Sequence, residues 1–349
     1  MVDGVELCEV QSRSHGSQPI PDLPPDRGET IGTVLNILLV TFPFFALVLA
    51  GFVAARRRML PLEAIPGLNS FVLYFALPAM LFRFGSTTPI TKLLDGAVFG
   101  VYLFCALLMV AFALAMTLGG RIRWNDAAFG ALVAAFPNTG FMGVPLLAAL
   151  LGPQSVGTVI VLILVDMVVT SSLCIALSRL DQGEGGATAA AGKALKGVLT
   201  NPMPWSILLG ALASGMGWQL LGPVEKTVWL LADAASPVAL FTIGAVLARS
   251  QMQTDHPMPW RDYIPVAAMK LLLHPFLVWF AGAGAIQMGI PLDPFAWTVM
   301  VLVSALPSAS NVSLLAERFG ADNGRIARII LWSTAAAFLT FSAAVSWVV

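Results

Sequence analysis

Apolar stretches of about twenty residues, each closed by a short polar or charged segment, recur along this chain from residue 33 to its end. They fall at 33–54, 65–84, 97–119, 127–151 and 156–178, and again at 203–221, 228–248, 263–288, 295–316 and 326–348. A helix rises 1.5 Å per residue, so about twenty apolar residues match the roughly 30 Å hydrocarbon layer of a bilayer. No segment shows the alternation of a barrel strand. The pattern predicts an all-α polytopic membrane protein with ten transmembrane helices.

Polar segments divide this run. Residues 1–30 are rich in Pro, Ser, Asp and Gly, and such a composition predicts a disordered N-terminal tail. The tail has no apolar core ahead of a small-residue cleavage site, so it does not read as a signal peptide. Asp181-Gln182-Gly183-Glu184-Gly185-Gly186 and the Ala-rich residues after it separate two sets of five spans. The predicted units are 31–179, a linker at 180–200, and 201–349.

Cationic residues orient the spans, because loops retained in the cytoplasm carry the excess of Lys and Arg. Arg56, Arg57, Arg58, Arg121, Arg123, Arg179, Lys193, Lys196, Arg249, Arg261, Arg318, Arg325 and Arg328 all follow odd-numbered spans. The opposite side holds Arg83, Lys92 and Lys226, with Arg13 and Arg27 in the tail. Both termini are therefore expected outside, with the 180–200 linker in the cytoplasm. Five spans per half then make the second half an inverted copy of the first. A shared P-x-x-L-F-x-x-G pattern agrees with this: Pro78 to Gly85 in the second span, Pro237 to Gly244 in the seventh.

Two spans are broken near their centres. The fourth contains Phe136-Pro137-Asn138-Thr139-Gly140-Phe141-Met142-Gly143-Val144-Pro145, and the ninth Leu306-Pro307-Ser308-Ala309-Ser310-Asn311. Proline removes a helical hydrogen bond and clashes with the carbonyl four residues back. In hydrocarbon the freed groups survive only where protein or a water-filled cavity satisfies them. Broken helices at equivalent places in inverted halves point to a transporter site. The expected fold is a 5+5 inverted repeat in which broken helices 4 and 9 cross near the midplane. The expected substrate-binding residues are Pro137, Asn138, Thr139, Gly140, Pro307, Ser308, Ser310 and Asn311. Half-helices starting after the breaks would offer free N–H groups and a positive dipole end to an anion.

Composition narrows the class further. The chain is 58% hydrophobic and 11% charged with zero formal net charge, which gives no basic field for nucleic acid. Against that background Asp166 stands out at the centre of the fifth span, where a charge costs about 2.5–3.5 kcal/mol on insertion scales. It reads as a proton carrier, a sodium ligand or a helix-to-helix hydrogen bond. Lys270 in the eighth span either balances Asp166 or a substrate carboxylate, or reaches towards an interface. His274, one turn on, is a titrating group or a structural donor. Asp166 and Lys270 are the candidate coupling-ion residues, with a proton or sodium as the coupling ion and no other cofactor. Arg83 and Asp233 near span ends read as interfacial; Trp205, Trp218, Trp229 and Trp297 read as aromatic anchors.

The motif at 136–146 resembles the fourth-helix signature of the auxin efflux carrier family, whose bacterial members include malate and malonate permease-like proteins. Residues 306–320 resemble its ninth helix, and Asn69 to Phe82 its second. The resemblance implies a fold related to bile-acid sodium symporters, with a scaffold of spans 1, 2, 6 and 7 and a mobile unit of spans 3–5 and 8–10. It also implies secondary transport of carboxylates. Plant members carry a long central loop, and the short 180–200 connection departs from them towards the bacterial branch.

The expected function is secondary active transport of a small organic anion across an inner or plasma membrane by alternating access. The anion would be a carboxylate such as malate or malonate, or an auxin-like weak acid. An anion-selective channel is the alternative, since broken helices also line pores. A membrane enzyme is further off: H-E-x-x-H is absent and Asp166 has no deep aspartate partner. Membrane lipid and the substrate are the expected partners, with a homodimer through the scaffold helices.

Overall fold

The computed structural model describes residues 27–87, 95–119, 121–180, 202–253 and 258–348. The expected tail before residue 27 and linker residues 181–200 lie outside the described residues. Twelve helical segments carry the described chain. They are α1 (Arg27–Arg56), α2 (Leu62–Thr87), α3 (Gly96–Thr117), α4 (Trp124–Ala135), α5 (Thr139–Leu151) and α6 (Ser155–Leu177). The second set is α7 (Pro202–Met216), α8 (Gly222–Gln253), α9 (Ile264–Gln287), α10 (Pro294–Ser304), α11 (Asn311–Arg318) and α12 (Asn323–Val348).

Seven of these are long and apolar enough to cross a bilayer: α1 over Leu38–Arg56, α2, α3, α6, α8 over Gly222–Met252, α9 and α12. The fourth and ninth expected spans are divided, as α4/α5 and α10/α11, by the two proline breaks. The remaining segment, α7, is 15 residues long. Helix α1 starts at Arg27, ahead of the span start at 33 read from hydropathy.

Proline also shapes helices that stay continuous. Val72–Ala76, Thr139–Gly143 and Met269–Leu273 wind as π-turns, and each is followed two residues later by Pro78, Pro145 or Pro275. The carbonyl that each ring would strike lies four residues back, at Tyr74, Phe141 or Leu271, in the middle of the widened turn. Widening moves that carbonyl off the ring. A fourth π-turn, Val165–Thr170, has no proline. There the Ser171 hydroxyl donates to the Asp166 carbonyl at 2.9 Å and the Thr170 hydroxyl to the Val165 carbonyl at 3.4 Å. Such bulges concentrate at functional sites. Here two of them carry Asp166 and Lys270.

The helices sort into two packed groups. Helices α1, α2, α7 and α8 lie against one another, chiefly as α1 on α8 and α7 on α2. Helices α3–α6 and α9–α12 form the other group, and α12 and α5 touch the first. The two main contacts of the first group are built alike. A side chain on Gly51 of α1 would strike the Phe241 carbonyl of α8, and one on Gly210 of α7 would strike the Phe82 carbonyl of α2. In return Gly244 of α8 lies against the Val48 carbonyl, and Gly85 of α2 against the backbone of Ile207 and Gly210. Phe82 and Phe241, and Gly85 and Gly244, are the matched positions of the P-x-x-L-F-x-x-G pattern. Glycine is required at all four, because backbone meets backbone there.

Candidate functional site

The second group closes around the two breaks, which cross and pair directly. Helix α4 ends at Ala135 and the backbone extends through Phe136, at φ −94° and ψ 102°. Pro137 and Ser308 then form an isolated antiparallel bridge. The Asn138 N–H donates to the Pro307 carbonyl at 2.8 Å, and the Ala309 N–H to the Phe136 carbonyl at 2.9 Å. The two prolines cost each helix its ladder, and the crossing restores two of the lost bonds. The Ser308 N–H donates to the Ser333 hydroxyl of α12 at 3.2 Å.

This qualifies one expectation. The N–H groups of Asn138, Ser308 and Ala309 are held by protein partners rather than left for an anion. The Thr139 N–H and hydroxyl both turn back to the Pro137 carbonyl, at 2.7 and 3.2 Å. Side-chain oxygens are what stay unsatisfied: Asn138 Oδ1, Ser308 Oγ and Asn311 Oδ1 are buried without a partner among the described residues. A buried acceptor left alone costs about 1–3 kcal/mol, and three at one crossing mark a place for something that donates to them or bridges them.

A small cavity of about 10 Å³, on the scale of a single water, adjoins the crossing, bounded by Asn69 and Val72 of α2, Phe141 of α5, Ala239, Thr242, Ile243 and Val246 of α8, and Ser310. It therefore lies between the two helix groups. Ser310 is the predicted site residue on its wall. Gly140, beside Phe141, has open space where a side chain would begin. Sequence reasoning missed Asn69 and Thr242 as wall residues. Their signal was a polar side chain on the buried stripe of an apolar span; Thr242 is 3% exposed.

Asp166 and Lys270 sit together in a second polar nest, fully buried, between α3, α6, α9 and α10. Tyr102 of α3 donates its hydroxyl to Asp166 Oδ2 at 3.1 Å, while Asp166 Oδ1 has no partner. Lys270 Nζ donates to the Ser304 carbonyl at 2.7 Å and lies 2.9 Å from His274 Nδ1. Ser304 is the last residue of α10, so the ammonium rests on the negative end of that half-helix, three residues before Pro307. Among the described residues Asp166 and Lys270 form no contact ion pair. The reading of Lys270 as reaching towards an interface is overturned by this burial. His274 is bound to Lys270 on one side and unsatisfied at Nε2. Tyr102 was not legible as a member, being one polar residue in an otherwise unmarked span, and Ser304 was not because it takes part through its backbone carbonyl, which no side chain announces.

Trp297, read as an anchor near a span end, packs its ring on Gly282 and lies 6.1 Å from Trp279, with its Nε1 buried. One smaller reading changes. Arg325 lies inside α12 rather than in a loop, 2% exposed, donating to the Asp126 carbonyl and the Asp262 carbonyl at 2.8 Å each. It ties the starts of α4, α9 and α12 together.

The sequence pattern of a family described as Membrane transport protein matches residues 37–345. The chain is 29% identical over 300 residues to the protein named "Putative malonate transporter" of Rhizobium meliloti (strain 1021), covering 84% of this chain and 90% of that one. It is 26% identical over 289 residues to "Uncharacterized transporter YfdV" of Escherichia coli (strain K12), covering 79% and 86%. It is 21% identical over 339 residues to "Auxin efflux carrier component 8" of Arabidopsis thaliana, covering 82% and 90%.

Proposed function

This chain belongs to the membrane transport protein family that includes auxin efflux carriers, and from that premise we propose that it carries a small carboxylate across its membrane by alternating access. The observation that carries the reading is the antiparallel pairing of the two breaks through Pro137 and Ser308 beside a cavity between two helix groups. The cavity holds no more than about one water in this closed arrangement, and a substrate admitted as the groups part would touch both. Sliding one against the other would expose it to either side in turn. The reciprocal glycine contacts support a 5+5 inverted repeat, in which exchanging the conformations of like halves produces the second state.

In this reading Asn138, Ser308 and Asn311 hold the substrate through donors or a water that satisfies their oxygens. A carboxylate accepts hydrogen bonds, so amide N–H groups of the two asparagines and the Ser308 hydroxyl would face it. Malonate is the first substrate to test, given the name of the Rhizobium relative. The Tyr102–Asp166 and Lys270–His274 pairs form the coupling machinery. The Lys270 ammonium already occupies a half-helix C-terminal end, the kind of place where transporters coordinate sodium, which favours a proton as the coupling ion.

Counterflow tests the proposal. Purified protein in liposomes preloaded with unlabelled malonate should take up external radiolabelled malonate transiently above equilibrium. A passive flux with no overshoot and no saturation would replace the carrier by a channel.

A further inference from the structure

The two copies of P-x-x-L-F-x-x-G differ in one chemically telling place. Thr242 of α8 occupies the position that Arg83 occupies in α2. The matching contacts of Gly51 with Phe241 and of Gly210 with Phe82 fix this register in space as well as in sequence. Thr242 lines the cavity beside the crossing, together with Ala239, Ile243 and Val246. The same helical stripe on α2 reads Met80, Arg83, Phe84 and Thr87. In an inverted repeat the cavity that opens on the other face must be walled by that stripe. Arg83 then stands where Thr242 stands now.

We infer that Arg83 is the carboxylate-binding residue of the outer-facing cavity, and that Asp233 occupies its guanidinium until substrate arrives. Arg83 Nη1 lies 2.6 Å from Asp233 Oδ1, and the two side chains are 27% and 65% exposed. An ion pair this open contributes little net stability, so an incoming carboxylate displaces Asp233 at small cost. The guanidinium is already oriented, 5.7 Å from the Phe84 ring centre and 6.0 Å from that of Trp229. Those rings restrict its rotamers and leave its planar fork for an acid. The neutral Thr242 on the opposite side gives no such hold. Capture is strong outside and release easy inside.

This inference rests on the transport reading above, and sided kinetics separate the two. Malonate, succinate and acetate, each radiolabelled, are offered to right-side-out and inside-out vesicles holding wild-type protein, Arg83→Gln, Arg83→Lys or Asp233→Asn. Arg83→Gln should raise the external KM relative to the cytoplasmic KM about tenfold, the loss typical of one charge-assisted hydrogen bond. Arg83→Lys should recover part of it. Asp233→Asn should move the ratio the opposite way, by removing the competitor. An unchanged ratio in Arg83→Gln, or losses of the same sign in Arg83→Gln and Asp233→Asn, overturns the inference and leaves a structural ion pair. Wild-type protein that moves none of the three acids overturns the transport reading, and this inference with it.

Discussion

At the residue scale, the crossing sets unsatisfied side-chain oxygens against satisfied backbone, and that division predicts how substitutions behave. Asn138 Oδ1 has no partner, so its removal forfeits no hydrogen bond of that atom in the resting protein. Asn138→Ala should leave the melting temperature in detergent within a few degrees of wild type and lower kcat/KM for malonate at least about tenfold. Normal transport by this variant would reduce the amide to a kink filler. Asp166→Asn keeps an oxygen for the Tyr102 hydroxyl but removes the titrating group. Substrate exchange should persist while accumulation driven by a pH gradient disappears; full accumulation would make Asp166 structural. The breaks were legible because Pro, Asn, Ser and Gly have no business in the middle of an apolar span unless something receives them. Tyr102 was not, since a lone hydroxyl in an apolar span looks the same in sequence whether or not it holds a carboxylate, and Ser304 joins through its backbone carbonyl, which any residue would offer.

At the element scale, proline spacing and glycine placement explain more of the helix geometry than hydropathy does. Hydropathy placed the seven long apolar helices but missed the π-turns that precede Pro78, Pro145 and Pro275. The cause was present in the sequence, yet a proline can kink, break or widen a helix, and only packing decides which. Glycine gave a sharper signal once paired across the halves. Gly244→Val places a side chain against the Val48 carbonyl and should destabilise by about 1–3 kcal/mol, read as a drop in melting temperature with loss of transport. Gly67→Ala, on α2 with open space in front of it, should be neutral or stabilise by up to about 1 kcal/mol. Equal losses from both would detach the glycine contacts from the fold argument.

At the scale of the whole molecule, the account depends on two helix groups moving past each other around a common cavity. Charge in the loops predicts the orientation, with Arg56 to Arg58 and the 180–200 connection on the cytoplasmic side. Cysteines introduced as Arg57→Cys or Glu184→Cys in an otherwise cysteine-free chain should react with an impermeant reagent only after the cells are opened. Reaction in intact cells would reverse the topology. The grouping itself was legible only through the family resemblance, because nothing in hydropathy says which apolar face meets which. Motion between the groups can be stopped directly. Thr242 on α8 and Ser310 after the second break line the same cavity from opposite groups. A Thr242→Cys, Ser310→Cys double variant, cross-linked by a short bifunctional thiol reagent, should lose counterflow of radiolabelled malonate and regain it when a cleavable linker is reduced. Each single variant treated alike carries an adduct in the same cavity and sets the baseline, below which the linked double variant should fall. Undiminished counterflow in fully cross-linked protein would contradict alternating access between these two groups.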